Sequence, residues 1–323
     1  MDGIVKINKM YKTALVTGGA GFIGSHIVNR LMKEGLLVVS VDDYSSGKRE
    51  NLECVLQNDN FFEERCDVTD YEKLKSIFEK YKFDIVFHNA ASKKNICLKD
   101  PRRDLEVNGS GTYNILDLSK AFDVKKVVHA STGSVYGEAQ YFPQDENHPL
   151  VPLSFYGVSK LAGEKYCKMF NDVFGLNTTV LRYFHVYGPN QESDDTLGGV
   201  VAIFKNRASN GLPLIIHGDG TQQRSFTHVN DVVGINLFVA CSEGTAGEVY
   251  NCASGVNVTI KELAEAVRNN YDKNLDILFD DWLTGDIKVF DVDNSKIKDL
   301  GFNFKISFSD GLGDLLMEPE LMK

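Results

Sequence analysis

Three polar side chains have types and spacing suited to acid–base chemistry. Tyr156 and Lys160 frame the segment Tyr-Gly-Val-Ser-Lys, which puts them one turn apart on one face of a helix. A phenol with a pKa of about 10 is a poor base at neutral pH. An ammonium one turn away favours the phenolate, and a further cation beside it favours it more. Upstream, Thr132 lies in the run STGSVYG at 131–137, where its hydroxyl or that of Ser131 could hydrogen-bond a reacting oxygen. Tyrosine–lysine pairs also fall at this spacing by accident, and polar residues are common at strand ends. The pair therefore takes its weight from what lies around it.

What lies upstream is a glycine turn. Residues 17–25 read TGGAGFIGS, with Gly18, Gly21 and Gly24 three apart and Phe22 and Ile23 between the last two. Glycines permit a tight turn and a close backbone approach, and the helix that follows offers free N–H groups and a positive dipole end to a pyrophosphate. A second apolar run ends in Val41-Asp42-Asp43, at the distance of about 20 residues where an acid accepts hydrogen bonds from an adenosine ribose. Asp42 would repel a 2′-phosphate, so NAD is favoured over NADP. Asp67-Val68 could touch the adenine, and the small residues of His88-Asn89-Ala90-Ala91 let the backbone pass close to the cofactor. A bound nicotinamide is then the further cation, and Tyr156 can take a proton from a substrate hydroxyl while hydride leaves.

The elements that must position these groups follow from periodicity. Short apolar runs at Ala14–Thr17, Leu37–Val41, Ile85–His88, Val127–Ala130 and Thr178–Leu181 read as strands. Between them, Ile23, Ile27, Val28, Leu31 and Met32 repeat at helical spacing and stop at Gly35. Leu74, Ile77 and Phe78 give a second helix. Leu105, Tyr113, Leu116 and Lys120 give a third after Pro101, and a fourth runs from about Tyr156 to Phe174. Alternating strand and helix predicts an α/β fold, a Rossmann-type doubly wound parallel sheet covered on both faces. The pattern weakens after Val186, where a smaller α+β substrate-binding domain is expected. The boundaries expected are 1–184, with 229–244 returning to the sheet, against 185–228 and 245–323.

Composition narrows the class. Of 323 residues 43% are apolar and 25% charged, and 35 basic against 45 acidic residues leave a net charge of −10. That sign opposes binding to nucleic acid or anionic membrane, though not a local pocket for a phosphorylated small molecule. No apolar run approaches the length of a membrane span, and the N-terminus does not read as a secretory signal. Six scattered cysteines form no CxxC pair, so no metal site is expected. A reduced, cytoplasmic setting is expected, with all six cysteines packed.

With these motifs in view, the chain resembles the extended short-chain dehydrogenases/reductases of the NAD-dependent sugar-nucleotide epimerase/dehydratase family. The matching runs are TGGAGFIGS (17–25), VDDYSSG (41–47), CDVTD (66–70), HNAA (88–91), VNGSGT (107–112), STGSVYG (131–137), YGVSK (156–160), RYFHVYGP (182–189), RSFTHVNDVV (224–233), NCASG (251–255) and GDIKVFDVDNSK (285–296). The resemblance implies that Tyr156 is the acid/base, Lys160 its partner and a ribose ligand, and Thr132 the hydroxyl that shares the reacting oxygen. It implies that Asp43, Ser46, Gly47, Ala90, Ala91, Lys93, Asn108, Ser131 and Tyr183 lie along the NAD. Ser134, Phe184, His185, Arg224 and Phe290 would face the sugar nucleotide, Arg224 as the cation for its diphosphate.

The resemblance also bears on the reaction. Dehydrating relatives carry Asp and Glu after the threonine, and decarboxylating ones a Glu before VYG. This chain has Gly133 and Ser134 there. Without that carboxylate pair, the expected chemistry is oxidation at C4 and return of hydride to the other face, as in interconversion of UDP-glucose and UDP-galactose. A net reductase or dehydrogenase of a nucleotide sugar, and a non-catalytic nucleotide-sensing module, are the rivals. His185, Leu283 and Ser225 stand where 4-epimerases usually carry Asn, Arg and Asp, which leaves the base and the hexose open. Bulk at Phe290 leans towards hexoses without a 2-acetamido group. Trp282 and Asp286 read as structural. Relatives often dimerise through two helices per subunit, here about 101–120 and 156–174, and a homodimer is expected.

Overall fold

The computed structural model describes residues 6–92, 97–195, 198–282 and 288–317. Six strands form, β1 (Thr13–Thr17), β2 (Leu37–Asp42), β3 (Phe61–Arg65), β4 (Ile85–His88), β5 (Lys126–Thr132) and β6 (Thr178–Tyr183); all but β3, where Phe61-Phe62 gives way to Glu63-Glu64-Arg65, follow the five apolar runs. With β7 (Glu248–Cys252) they form one seven-stranded sheet in the order β7-β6-β5-β4-β1-β2-β3. The pairs from β6 through β3 are parallel. Strands β1, β2, β4 and β5 are buried almost end to end, as continuous apolar runs require when both faces are covered. The strand order reverses between β1 and β4, and in such sheets ligands sit beyond the carboxyl ends of the strands at that reversal.

Helices α1 (Phe22–Lys33), α2 (Tyr71–Tyr81), α3 (Pro101–Leu105), α4 (Thr112–Ala121), α5 (Phe155–Phe174) and α6 (Val229–Cys241) accompany the sheet. Leu15, Val39, Phe78, Val86, Ile115, Leu116, Val127, Cys167 and Val180 close one core between strands and helices. Periodicity alone reads 105–120 as one helix. The structure instead inserts a π-helical turn, Glu106–Gly111, between α3 and α4. Its Gly111 lies where a Cβ would come within 2.6 Å of a Val68 methyl, a close approach that only glycine permits.

The chain groups into two compact units. The first comprises Met1–Gly137, Leu150–Tyr183 and Val232–Tyr250, and the second Glu138–Pro149, Phe184–Asp231 and Asn251–Lys323. Residues 138–149, left with the sheet domain by the sequence reading, group with the second unit. There the Gln144 amide donates to Asp291 (2.7 Å) and the Gln144 carbonyl accepts from the Asn251 side chain (3.1 Å). The second unit mixes helices Val200–Ser209, Ile260–Tyr271 and Phe308–Met317 with two-stranded pairs, around Leu214, Phe226, Leu263, Val267 and Leu312.

All six cysteines are free thiols. Four are buried, but Cys54 is exposed and donates to Asn29 Oδ1 (3.1 Å), so the expectation that all six pack fails there. No described helix is long and apolar enough to cross a membrane.

Candidate active site

A cavity of about 370 Å³ lies within the first unit, lined by residues at and just past the carboxyl ends of β1 to β6, by the N-terminal parts of α1 and α5, and by Arg103 and Val107 of α3 and the π turn. Of the residues singled out from sequence, Gly18, Gly21, Phe22, Ile23, Gly24, Asp42, Asp43, Ser46, Gly47, Asp67, Val68, Ala90, Ala91, Ser131, Tyr156, Lys160 and Tyr183 line it. Lys93, like Leu283 and Asp286, lies outside the described residues. Thr132 and Asn108 are not among the lining residues, for different reasons.

The glycine turn is shaped by two close approaches. Gly18 has φ +66°, and a Cβ there would lie 2.8 Å from the Ala90 nitrogen. A Cβ on Gly24 would lie 2.0 Å from the Gly18 carbonyl oxygen. Neither position tolerates a side chain, so the backbone itself forms the cavity wall. No side chain caps the N-terminus of α1 at Gly21, which leaves its dipole end facing the cavity. At the end of β2, Asp42 accepts from the Ala20 and Tyr44 amides (3.0 and 2.9 Å). Burial raises its pKa, and those two amides work against the rise.

The acid–base pair is placed by α5. Ser154 caps this helix by accepting from Gly157 (3.1 Å), and Gly175 in the left-handed region ends it. Tyr156 thus falls in the first turn and Lys160 one turn on. Burial pushes the Tyr156 phenol up to about 12, while its hydrogen bond with Thr132 pulls the other way. Thr132 stands near enough to the phenol to act on it without itself lining the cavity. Its hydroxyl also accepts from the Ser134 amide (3.2 Å), which places Ser134 in the turn just past β5. Lys160 is 1% exposed, and its Nζ has no hydrogen-bond partner among the described residues. Burial brings it down to about 8, opposed by Cys167, Glu164 and Asp104.

Buried ties hold this end of the sheet. Ser131 donates to Glu164 (2.5 Å), which is ion-paired with Arg182 (2.7 Å), and Arg182 donates to the Tyr136 hydroxyl (2.8 Å). His88 bridges Thr17 (2.6 Å) and Thr112 (3.0 Å), and burial lowers its pKa to about 3, so it is neutral. Asn108 sits in the π turn behind the cavity. It accepts from the Ser92 amide and donates to Asp104 and Ser159, each at 3.0 Å. Its side chain braces the π turn against Ser92 and α5.

In the second unit, Phe184, His185, Arg224 and Phe290 cluster. The His185 and Phe290 rings are 4.7 Å apart, Phe184 meets Phe290 edge-on at 6.3 Å, and the Arg224 guanidinium lies 5.4 Å from the Phe290 ring centre. Back at the cavity, sequence reasoning missed one cation. Arg103 lines it and bridges Asp43 and Asp67 (3.2 and 2.6 Å). Burial disfavours the Asp67 carboxylate, but the Thr69 amide and Arg103 outweigh it and hold its pKa below the ordinary value. Only an arginine within reach of two strand ends gives this signal, and spacing along the chain does not show it.

Backbone-walled turn, strand-end carboxylate and an orphaned buried ammonium together fit a dinucleotide whose ribose hydroxyls can take up the Lys160 donors. Fold and site define a nicotinamide-dependent enzyme of the doubly wound α/β class. Residues 14–253 match the sequence model of the NAD dependent epimerase/dehydratase family. The chain belongs to that family and uses NAD. It is 34% identical over 304 residues to the UDP-glucose 4-epimerase of Mycolicibacterium smegmatis, covering 92% of this chain and 95% of that one. The solved UDP-glucose 4-epimerase of Thermotoga maritima with UDP-glucose matches with a TM-score of 0.89 at 37% identity, covering 94% of this chain and 97% of that one. The solved UDP-N-acetylglucosamine 4-epimerase of Methanobrevibacter ruminantium M1, in complex with UDP-N-acetylmuramic acid, also reaches 0.89, at 32% identity and the same coverage.

Proposed function

We propose that this enzyme is a sugar-nucleotide 4-epimerase acting on a UDP-hexose, with UDP-glucose and UDP-galactose as the favoured pair. One observation carries the reading. The carboxylates among the described lining residues are Asp42 and Asp43 at the end of β2 and Asp67 past β3, while the turn at the end of β5 carries Thr132, Gly133 and Ser134 and no acid. One acid/base couple serves a reversible oxidation at C4, and dehydration or decarboxylation needs more.

Gly18, Gly21 to Gly24, Asp42, Ser131 and Lys160 would hold the NAD, which supplies the hydride acceptor and donor for transient oxidation to a 4-keto sugar and reduction from the opposite face. Tyr156 takes the C4 hydroxyl proton and gives it back, and Thr132 shares that oxygen through its bond to the phenol. Lys160 offers its free N–H groups to the ribose and its charge to the phenolate. Phe184, His185, Arg224 and Phe290 would recognise the sugar nucleotide, with Arg224 as the diphosphate cation.

The purified protein should convert UDP-glucose to UDP-galactose without added cofactor and with no net build-up of reduced nicotinamide. A stoichiometric near-ultraviolet change would make it a net dehydrogenase or reductase. No epimer from a panel of UDP-, dTDP-, GDP- and CDP-sugars would overturn the reading.

A second copy of this chain is the proposed partner. Tyr113, Val158, Tyr166, Met169 and Val173 on α4 and α5 are each more than 40% exposed, an apolar face that a homodimer would cover. Light scattering giving a monomer at micromolar concentration would exclude it.

A further inference from the structure

We propose that Arg103 governs how long NAD stays bound, by strapping the carboxyl ends of β2 and β3 together across the adenosine end of the cavity. The assignment rests on reading this cavity as the NAD site.

The geometry is that of a bridge with fixed ends. One guanidinium nitrogen of Arg103 donates both to Asp43 Oδ2 (3.2 Å) and to Asp67 Oδ2 (2.6 Å). Neither carboxylate is free to swing. Asp43 Oδ1 accepts from the amide and hydroxyl of Ser45 (2.9 and 2.6 Å), and Asp67 Oδ1 accepts from the Thr69 amide (2.9 Å). The arginine is anchored too. Asp100 caps its short helix, and the π turn that follows is pinned by Asn108 to the Ser92 amide. Three segments distant in sequence are thus joined by one side chain, and all three bridged residues line the cavity.

Each side chain of the bridge is about a third exposed. An isolated pair of that exposure is worth less than about 1 kcal/mol, and salt screens it. Two pairs sharing one arginine spend its side-chain entropy once. With the bridge closed the ends of β2 and β3 keep one arrangement beside the dinucleotide, and losing it weakens the bound complex, which shows as faster release. Retention has a purpose in an enzyme that must recover its cofactor at the end of every turnover.

The test follows NAD, not sugar. Wild type, Arg103→Ala and Arg103→Lys are loaded with NAD, freed of excess, and release is timed by rapid filtration at low and high salt. Arg103→Ala should release NAD about tenfold faster. Arg103→Lys should fall between, because its ammonium sits on a stem one atom shorter than the one that reaches both carboxylates and is more strongly hydrated. Added salt should speed release from wild type and do much less in Arg103→Ala. A wild-type rate in Arg103→Ala, or an undiminished salt effect, would overturn the proposal. Melting curves separate retention from general loosening: the gain in Tm on adding NAD should shrink in Arg103→Ala. A fall in apo Tm with that gain unchanged would also overturn it. No step needs a sugar, so a failed sugar panel would sink the epimerase reading and leave this result standing.

Discussion

Two buried lysines sit at opposite ends of the same sheet region, and their difference separates structure from function. Lys126 opens β5; Lys160 stands on α5 at the cavity where β5 ends. Each is 1% exposed, and burial pulls each pKa down, to about 7 and about 8. Lys126 is satisfied: its Nζ donates to Asn177 Oδ1 and Thr245 Oγ1, both at 2.7 Å. Lys160 has no such acceptor among the described residues. Burial of a charge is therefore not the mark of a functional site here. An unsatisfied buried charge is, because a fold keeps one only where something outside the chain completes it.

The largest effect should come from the residue Lys160 serves. Tyr156→Phe keeps the ring and removes the proton carrier, and turnover should fall by about a thousandfold or more. NAD content after purification, read from absorbance, should not change. Unchanged turnover would remove Tyr156 from the chemistry and with it the functional meaning of its lysine.

Lys160→Met breaks the comparison directly. Turnover should fall by about a hundredfold, and NAD should bind more weakly. The apo protein should at the same time become more stable to urea, by up to about 3 kcal/mol, because the variant no longer buries an unpaired ammonium. Stability and function then move in opposite directions at one residue. A less stable apo variant would mean that Lys160 has a partner inside the fold after all. Lys126→Met should leave turnover and NAD binding within about twofold of wild type.

That contrast also shows what a sequence can disclose. The glycine turn, the strand-end Asp42 and the Tyr156–Lys160 spacing are local, set by one strand end or one helical turn, and all were legible. Arg103 was not, since its partners lie 60 and 36 residues away and meet it only once two strand ends and a helix are brought together. The bracing bonds of Asn108 were not legible either, since Ser92 and Ser159 lie 16 and 51 residues away. Lys126 gave no signal at all. A lysine at the start of a strand reads as a solvent-facing charge until Asn177, just before β6, and Thr245 of the α6–β7 connection close over it.

The smallest effect is a pH dependence that distinguishes the two lysines in their titration ranges. Lys126 has a folded pKa of about 7 against an ordinary 10.5. Below 7 both folded and unfolded chains hold the proton, and the folded state bears the full burial penalty. Between 7 and 10.5 the unfolded chain keeps a proton that the folded chain has shed, so stability rises with pH across that window. Lys160 contributes with the same sign but begins near 8. Urea midpoints of the apo protein should thus gain a rising component just above pH 7 that Lys126→Met removes and Lys160→Met leaves. The rise above 8 should lose its second part in Lys160→Met. Acidic side chains and neutral histidines titrate in all three proteins alike, so the differences between them isolate the lysines. A Lys126→Met protein with the wild-type slope between 7 and 8 would show that the Asn177 and Thr245 oxygens hold that ammonium charged, and that satisfaction of hydrogen bonds had offset burial completely.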